Sequence, residues 1–357
     1  MSLYVDIKKK YKGFTLEVSF SNLGGGSLGI LGASGSGKSM TLKCIAGLET
    51  PDEGIIRVGD RVLFDSKAKI DIKPQHRNVG YLFQNYALFP NMTVRNNINI
   101  AYRGDKENLS KTVDGLLALY GLSELADRYP VHLSGGQQQR AALARIFAYK
   151  PEVLLLDEPF SALDTFLRES MQVELKRIIK SYEGDVVMVT HSRDEVYKIC
   201  ERLMILDNGE SAAFGDTQEI FSSPGNVRSA RITGCKNISH IKKTGEKSFY
   251  ATDWGFELKT AIPVDDSFTH AGIRAHDFSI IGDPETSQEE NIISIKIDET
   301  IEGIFEKSIV FRSEYNNASS GIEKDSSHLW WICNRFKPTT DVKYLSVEKE
   351  HILLLHS

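Results

Sequence analysis

Long apolar runs are missing from this chain. No uninterrupted stretch approaches the roughly 18 residues that a membrane-spanning helix needs, so any membrane role is expected to come through a partner. Cysteine is scarce: Cys44, Cys200, Cys235 and Cys333 form no C-x-x-C pair, and no histidine completes a metal-ligand spacing beside them. Reduced structural thiols in a cytosolic setting are the expectation. Excess positive charge is absent too. A formal net charge of −5 offers no global basic field for a phosphate backbone, so no nucleic-acid partner is expected. The opening MSLYVDIKKKYKGF puts charges where a secretory leader needs an apolar core, so no leader is expected. Internal repeats and low-complexity tracts are lacking as well. What remains is an ordinary globular composition, 41% hydrophobic and 25% charged, over 357 residues. That length exceeds what one core usually organises, so two domains are expected.

The apolar pattern assigns the larger part to the α/β class. Alternating residues at 3–7 and 14–20 read as two strands around a turn at 10–13, an antiparallel start. A buried strand at 27–31 leads through a glycine-rich loop into a helix at 40–46. Further buried strands at 153–156 and 186–190 alternate with helical patterns at 166–181 and 193–201, the order of a parallel sheet covered by helices. Residues from about 85 to 150 are mostly helical in pattern, at 106–120 and 137–148, and read as an inserted helical subdomain. After Ile232 the pattern turns to short strand-like runs, such as 248–251, 292–297 and 309–312, with a polar loop at 313–327. The expected division is 1–232 for a phosphate-loop core with an antiparallel β subdomain and a helical insertion, and 233–357 for a small β-rich domain.

Two motifs carry chemistry without further help. Gly32, Ala33, Ser34, Gly35, Ser36, Gly37, Lys38 and Ser39 satisfy G-x-x-x-x-G-K-[ST] between a predicted strand and a predicted helix. Glycines let successive N–H groups turn inward onto phosphate oxygens, and the helix adds its positive end. Lys38 then neutralises the β/γ-phosphates of ATP and the Ser39 hydroxyl ligates Mg²⁺. The second motif is the run Val153, Leu154, Leu155, Leu156, Asp157, Glu158, a buried strand ending in two acids. Asp157 is expected in the Mg²⁺ shell, and Glu158 is expected to polarise the attacking water.

Leu133, Ser134, Gly135, Gly136 and Gln137 spell LSGGQ, and with them the chain resembles the ATP-binding cassette ATPases over about its first 230 residues. The resemblance implies that this signature reaches the γ-phosphate held by a second cassette subunit, most simply in a homodimer. It further implies that Gln84 touches Mg²⁺ and the attacking water, that Ser161, Ala162, Leu163 and Asp164 communicate across the dimer, and that His191 is a switch contacting the γ-phosphate. An aromatic is expected to stack on adenine, with Tyr11 first and Phe14 second. The segment Asn85 to Pro90 resembles the groove that receives a permease's cytoplasmic helix, with Tyr86, Leu88 and Phe89 as an exposed apolar patch.

The cargo is read from the tail. Thr233, Gly234, Cys235, Lys236 and Asn237, with Gly272, Ile273, Arg274, Ala275 and His276, resemble junction and tail segments of molybdate and sulfate importer ATPases. The expectation is an ATP-hydrolysing importer subunit, peripheral on the cytoplasmic face of the membrane. It would work with integral-membrane permease subunits and, indirectly, an extracytoplasmic solute-binding protein. Molybdate is the favoured cargo. Sulfate or thiosulfate, ferric iron and sugar are alternatives, as are a soluble non-transport ATPase and an oxyanion sensor.

Overall fold

The structure, a computed structural model, describes residues 2–22, 26–282, 284–285, 287, 289–314 and 328–357. Alternation in the first segment does what its pattern requires. In β1 (Leu3–Tyr11) Leu3, Val5 and Ile7 point to the core while the residues between them are less buried. Gly13, at φ +82°, turns the chain into β2 (Phe14–Asn22), which pairs antiparallel with β1 from Leu3 opposite Asn22 to Tyr11 opposite Phe14. Next come β3 (Gly26–Leu31), α1 (Lys38–Ala46) and three strands that the apolar pattern does not single out: β4 (Glu53–Val58), β5 (Arg61–Asp65) and β6 (Ile70–Asp71).

After β7 (Val79–Leu82) the chain becomes helical, through α2 (Val94–Asn99), α3 (Leu109–Leu119) and α4 (Gly135–Phe147). The single helix expected at 106–120 is a 3₁₀ turn at Lys106–Asn108 followed by α3. The α/β order then resumes with β8 (Val153–Asp157), α5 (Thr165–Ser181), β9 (Asp185–Thr190), α6 (Arg193–Ile199), β10 (Arg202–Asp207) and β11 (Glu210–Asp216).

These eleven strands form one sheet in the order β6-β5-β4-β1-β2-β11-β10-β3-β9-β8-β7. One end, from β6 to β2, is antiparallel; the other, β10-β3-β9-β8-β7, is parallel throughout. Helix α1 packs Leu42, Cys44, Ile45 and Ala46 into a core with Leu16 and Val18 of β2 and Val187 and Val189 of β9. Because β3, β9, β8 and β7 run side by side in one direction, the segments that leave their carboxyl ends emerge at one edge. Those segments are the glycine-rich loop, His191, Glu158 and Gln84.

The chain divides into two units, Met1–Gln218 and Glu219–Ser357. The division falls earlier than the 232/233 boundary read from the sequence. Helix α7 (Thr217–Ser222) spans it, while α8 (Val227–Ile232) buries Val227 and Ala230 with Cys235 and Leu355, partners that belong to the second unit.

The second unit is built on two antiparallel five-stranded sheets. Its strands are β12 (Asn237–Gly245), β13 (Ser248–Ala251), β14 (Phe256–Lys259), β15 (His270–Ile273), β16 (Phe278–Ile281), β17 (Ile292–Glu302), β18 (Glu306–Ser313), β19 (Leu329–Asn334), β20 (Tyr344–Val347) and β21 (Ile352–Leu355). They pair as β14-β13-β12-β15-β21 and β16-β20-β17-β18-β19. One core joins both, with Phe249, Leu258 and Ile273 from the first sheet meeting Phe278, Phe311 and Trp331 from the second. The loop expected at 313–327 lies, from residue 315 on, outside the described residues. Phe311 is fully buried and meets Phe278 edge-on at 5.3 Å. Phe311→Ala should therefore destabilise this unit by about 3–5 kcal/mol; a shift of under about 1 kcal/mol in chemical denaturation would contradict the packing described.

Candidate functional site

Strand β3 delivers the chain to Gly32, where a Cβ would strike the Leu206 carbonyl oxygen, so only glycine fits. Gly35 and Gly37 take φ +81° and +104°, the left-handed conformations that let the loop curl before α1 starts. Ala33, Ser34 and Gly35 form an exposed tip, while Ser36 and Lys38 are buried. The Lys38 ammonium donates to the carbonyls of Gly32 at 2.9 Å and Ala33 at 2.8 Å, so it sits inside the curl. Burial lowers its pKa, and the nearby charges of Glu158 and Asp157 work against that shift.

Asp157, at the end of β8, accepts from the Ser39 hydroxyl at 2.7 Å through one oxygen and from the Tyr81 hydroxyl at 2.8 Å through the other. Burial, reinforced by the Asp157 charge, holds the Tyr81 phenol far above its ordinary range. Glu158 follows in a left-handed conformation, φ +45°, unusual for a non-glycine residue and a cost that clusters at functional positions. Its backbone N–H donates to Val189 of β9, and its carbonyl accepts from the backbone and hydroxyl of Ser161. The carboxylate of Glu158 lies 3.4 Å from the Gln84 amide nitrogen and 3.2 Å from His191 Nδ1. Three residues assigned to catalysis from sequence thus converge on one point.

Two supporting residues make contacts that the sequence does not give. Thr190 donates to the buried Glu195 at 2.5 Å and accepts from the Ser192 backbone at 3.0 Å, which fixes the turn that carries His191. Burial raises the Glu195 pKa, opposed by the Thr190 hydrogen bond. Arg77, with no exposed surface, donates to the carbonyls of Cys44 and Ile45 at the end of α1, to Ile72 and to Asp71. It clamps the end of the phosphate-loop helix to the approach to β7. Arg77 opens the run 77–84, which resembles importer ATPases, but the sequence does not tell what its guanidinium holds.

The remaining assigned residues make local contacts. Ser134 caps α4, accepting from Gln137 N at 3.4 Å while the Gln137 side chain accepts from Ser134 N at 2.9 Å, a reciprocal capping box. Leu133 and Gly136 are buried, and a Cβ on Gly135 would stand 3.1 Å from Leu163. The signature therefore packs on the 161–164 loop, whose Asp164 caps α5 by accepting from Leu167 N at 2.9 Å. Ser161, Ala162 and Asp164 are exposed. Of the two aromatics, Phe14 is the ring against the phosphate loop, with its Cζ 3.0 Å from where a Gly37 Cβ would be. Tyr11 lies 6.1 Å from Phe14 and buries its hydroxyl, and burial pushes its phenol up to about 12.

The patch expected at Tyr86, Leu88 and Phe89 needs correction. Tyr86 is buried, because it and Ala87 both take left-handed backbone, φ +60° and +45°, and Arg145 ties their two carbonyls down. Phe89 is exposed and Leu88 half-buried. Beside them lies an apolar groove of about 540 Å³ whose walls include Tyr81, Phe83, Phe89 and Ile100. A larger cleft of about 950 Å³, between Tyr120, Phe147 and Tyr182, contains none of the site residues.

In the second unit, the segments that suggested a cargo hold each other. Asn237 donates to the Ile273 carbonyl at 3.0 Å, Cys235 reaches the same carbonyl at 3.5 Å, and Arg274 donates to Thr233 at 2.9 Å and to the Phe221 carbonyl. His276 pairs with Glu306 at 3.7 Å. Arg274 is thus occupied in packing this unit.

The family described as ABC transporter matches residues 16–161. A probable sulfate/thiosulfate import ATP-binding protein of Chlorella vulgaris is 38% identical over 242 residues, 66% of this chain and 100% of its own length. A spermidine/putrescine import ATP-binding protein of Oleidesulfovibrio alaskensis is 41% identical over 214 residues, 59% of this chain and 56% of its own. A molybdenum import ATP-binding protein of Paramagnetospirillum magneticum is 36% identical over 224 residues, 62% of this chain and 61% of its own. The chain thus spans about three fifths of the length of the last two. Among solved structures, a dimeric ATP-binding cassette in a post-hydrolysis state with ADP and Pi is 30% identical, with a TM-score of 0.52 over 61% of this chain and 99% of that one. With a relative 38% identical that it matches over its full length, and the family model over residues 16–161, the chain belongs to the ABC transporter family of ATP-binding proteins.

Proposed function

We propose that this chain hydrolyses ATP as one of two cassette subunits that drive a membrane permease, importing an oxyanion with molybdate as the first choice. The observation that carries the hydrolysis is the meeting of Gln84, Glu158 and His191 at the carboxyl ends of β7, β8 and β9, beside the phosphate loop. Backbone N–H groups of residues 33–39 hold the β/γ-phosphates and Lys38 offsets their charge. Glu158 takes the proton of the attacking water, whose oxygen bonds to the γ-phosphorus as the bond to ADP breaks. His191 and Gln84 hold the Glu158 carboxylate and the water in line. Phe14 is the ring better placed to cover the base.

Ser39 and Asp157 present hard oxygen donors 2.7 Å apart, a donor set that suits Mg²⁺, with Gln84 as a third. Bound there, Mg²⁺ would neutralise charge developing on the β- and γ-phosphates.

The signature at 133–137 serves a second copy of the chain, because a glycine-rich helix start, exposed at Ser134, offers N–H groups to an anion. The groove beside Phe89 receives a cytoplasmic helix of the permease, which places the chain peripherally on the cytoplasmic face. Among the described residues no helix is long and apolar enough to cross a membrane. An extracytoplasmic solute-binding protein would act through the permease.

The cassette does not touch cargo, and the relatives' names include molybdenum, sulfate/thiosulfate and spermidine/putrescine importers. The test reconstitutes the chain with the permease encoded beside it and measures uptake of molybdate, tungstate, sulfate and spermidine. Molybdate and tungstate should be taken up and should compete with each other. Uptake of spermidine alone would overturn the cargo, and an absence of ATP turnover would overturn the engine.

A further inference from the structure

The geometry points to Tyr81 as a positioning residue that joins the apolar groove to the Asp157 carboxylate, so that what fills the groove sets how well the site binds its metal ion. This rests on the nucleotide-hydrolysing reading of the site and adds to it a direct mechanical route.

Tyr81 belongs to β7, an edge strand whose one partner among the described residues is β8, and it stands opposite Leu155, two residues before Asp157. Residues i and i+2 of an extended chain share a face. The Tyr81 and Phe83 rings accordingly lie 4.3 Å apart, and both line the groove. At its far end the Tyr81 ring carries a hydroxyl that donates to Asp157 Oδ2 at 2.8 Å. The other oxygen of Asp157 accepts from Ser39 at 2.7 Å. One rigid side chain thus has its face in the groove and its tip on the carboxylate.

The mechanical consequence follows from the shape of the parts. A phenol ring has no internal torsion between its face and its hydroxyl, so a tilt or translation of the ring carries the hydroxyl with it and alters its hydrogen bond to the carboxylate. The groove can supply such a shift. Two of its walls, Phe89 and Ile100, are exposed, and Arg145, also on the groove, is fixed on the Tyr86 and Ala87 carbonyls and lies 5.5 Å from the Phe89 ring centroid. Material entering the groove therefore meets the Tyr81–Phe83 pair on its floor as well as the exposed Phe89 and Ile100. A phenylalanine at position 81 would fill the same space and keep the ring contact, so the hydroxyl is the part that packing alone does not require.

The experiment uses the full chain, Mn²⁺ as the probe and a non-hydrolysable ATP analogue, reading free Mn²⁺ by electron paramagnetic resonance. Tyr81→Phe should weaken Mn²⁺ binding roughly 10- to 100-fold, the scale for losing an outer-shell partner of a metal ligand. Metal-free binding of the analogue and the melting temperature should stay unchanged. Ile100→Trp, which adds bulk to the groove wall, should shift Mn²⁺ affinity at least threefold when Tyr81 is present and leave it unmoved in Tyr81→Phe. Ala101→Leu, also on the groove, serves if the tryptophan variant does not fold. Unchanged Mn²⁺ affinity in Tyr81→Phe, or an equal groove effect in both backgrounds, overturns the proposal while the nucleotide site stands. Failure of the unsubstituted chain to bind the analogue overturns both.

Discussion

Glu158→Gln should bind ATP as well as the unsubstituted chain while turning it over roughly 10²- to 10⁴-fold more slowly, the range for losing a general base. The amide keeps the shape of the side chain, so the contacts from Gln84 and His191 at 3.4 and 3.2 Å need only reorient. The left-handed backbone at this position is set by the Val189 and Ser161 hydrogen bonds, neither of which involves the side chain. What the substitution removes is the capacity to accept a proton. It also removes a negative charge close to where the γ-phosphate would sit, so ATP affinity should hold or rise. If the signature at 133–137 acts across two subunits, the variant should accumulate as an ATP-dependent dimer in sedimentation velocity. Phosphate release at saturating ATP decides the matter: turnover within about threefold of the parent would remove Glu158 from the role of base.

The parts of this site that could be read from sequence share one property: their chemistry lies within a few consecutive residues. The loop at 32–39, the acids at 157 and 158 and the signature at 133–137 each combine a turn or strand end with the reacting groups. Residues that act through distant partners left no such trace. Arg77 lies 33 residues from Cys44, whose carbonyl it caps, and Tyr81 lies 76 residues from Asp157. Both lie in the run 77–84, which resembles importer ATPases, yet neither spacing nor residue type there points to the partner. Tyr86 differs for another reason: the resemblance of 85–90 to a permease-helix groove implied exposure, but the left-handed turn through Tyr86 and Ala87 folds that ring inward. The β4, β5 and β6 strands were missed because the half-buried pattern of their edges alternates weakly. The second unit was legible as β-rich from β-branched and aromatic runs, whereas its start was not. Helix α8 carries a helical pattern like those before it, and only its packing partners Cys235 and Leu355 assign it.

Lys38→Ala should weaken ATP binding by roughly 10- to 100-fold, the fold-change expected for losing hydrogen bonds to a charged group, with little change in melting temperature. Two opposing effects account for the second part. The ammonium makes two hydrogen bonds, to Gly32 and Ala33, which the variant loses, yet it is also a buried charge whose desolvation the variant no longer bears. Those contributions have opposite sign in the nucleotide-free protein. With phosphate present they no longer cancel, since the ammonium then has an anionic partner in place of two carbonyls. A pH titration separates this account from simple loss of packing. Burial lowers the Lys38 pKa, and only the protonated form helps to hold phosphate, so ATP affinity of the parent should fall as pH rises into the alkaline range. Bound phosphate favours the charged form, which moves that fall to higher pH in the complex than in the free protein. In Lys38→Ala this alkaline loss should be missing, leaving a flatter profile beneath that of the parent. An equally steep loss in the variant would mean that another group supplies the charge, and an unchanged affinity at neutral pH would remove Lys38 from the phosphate site.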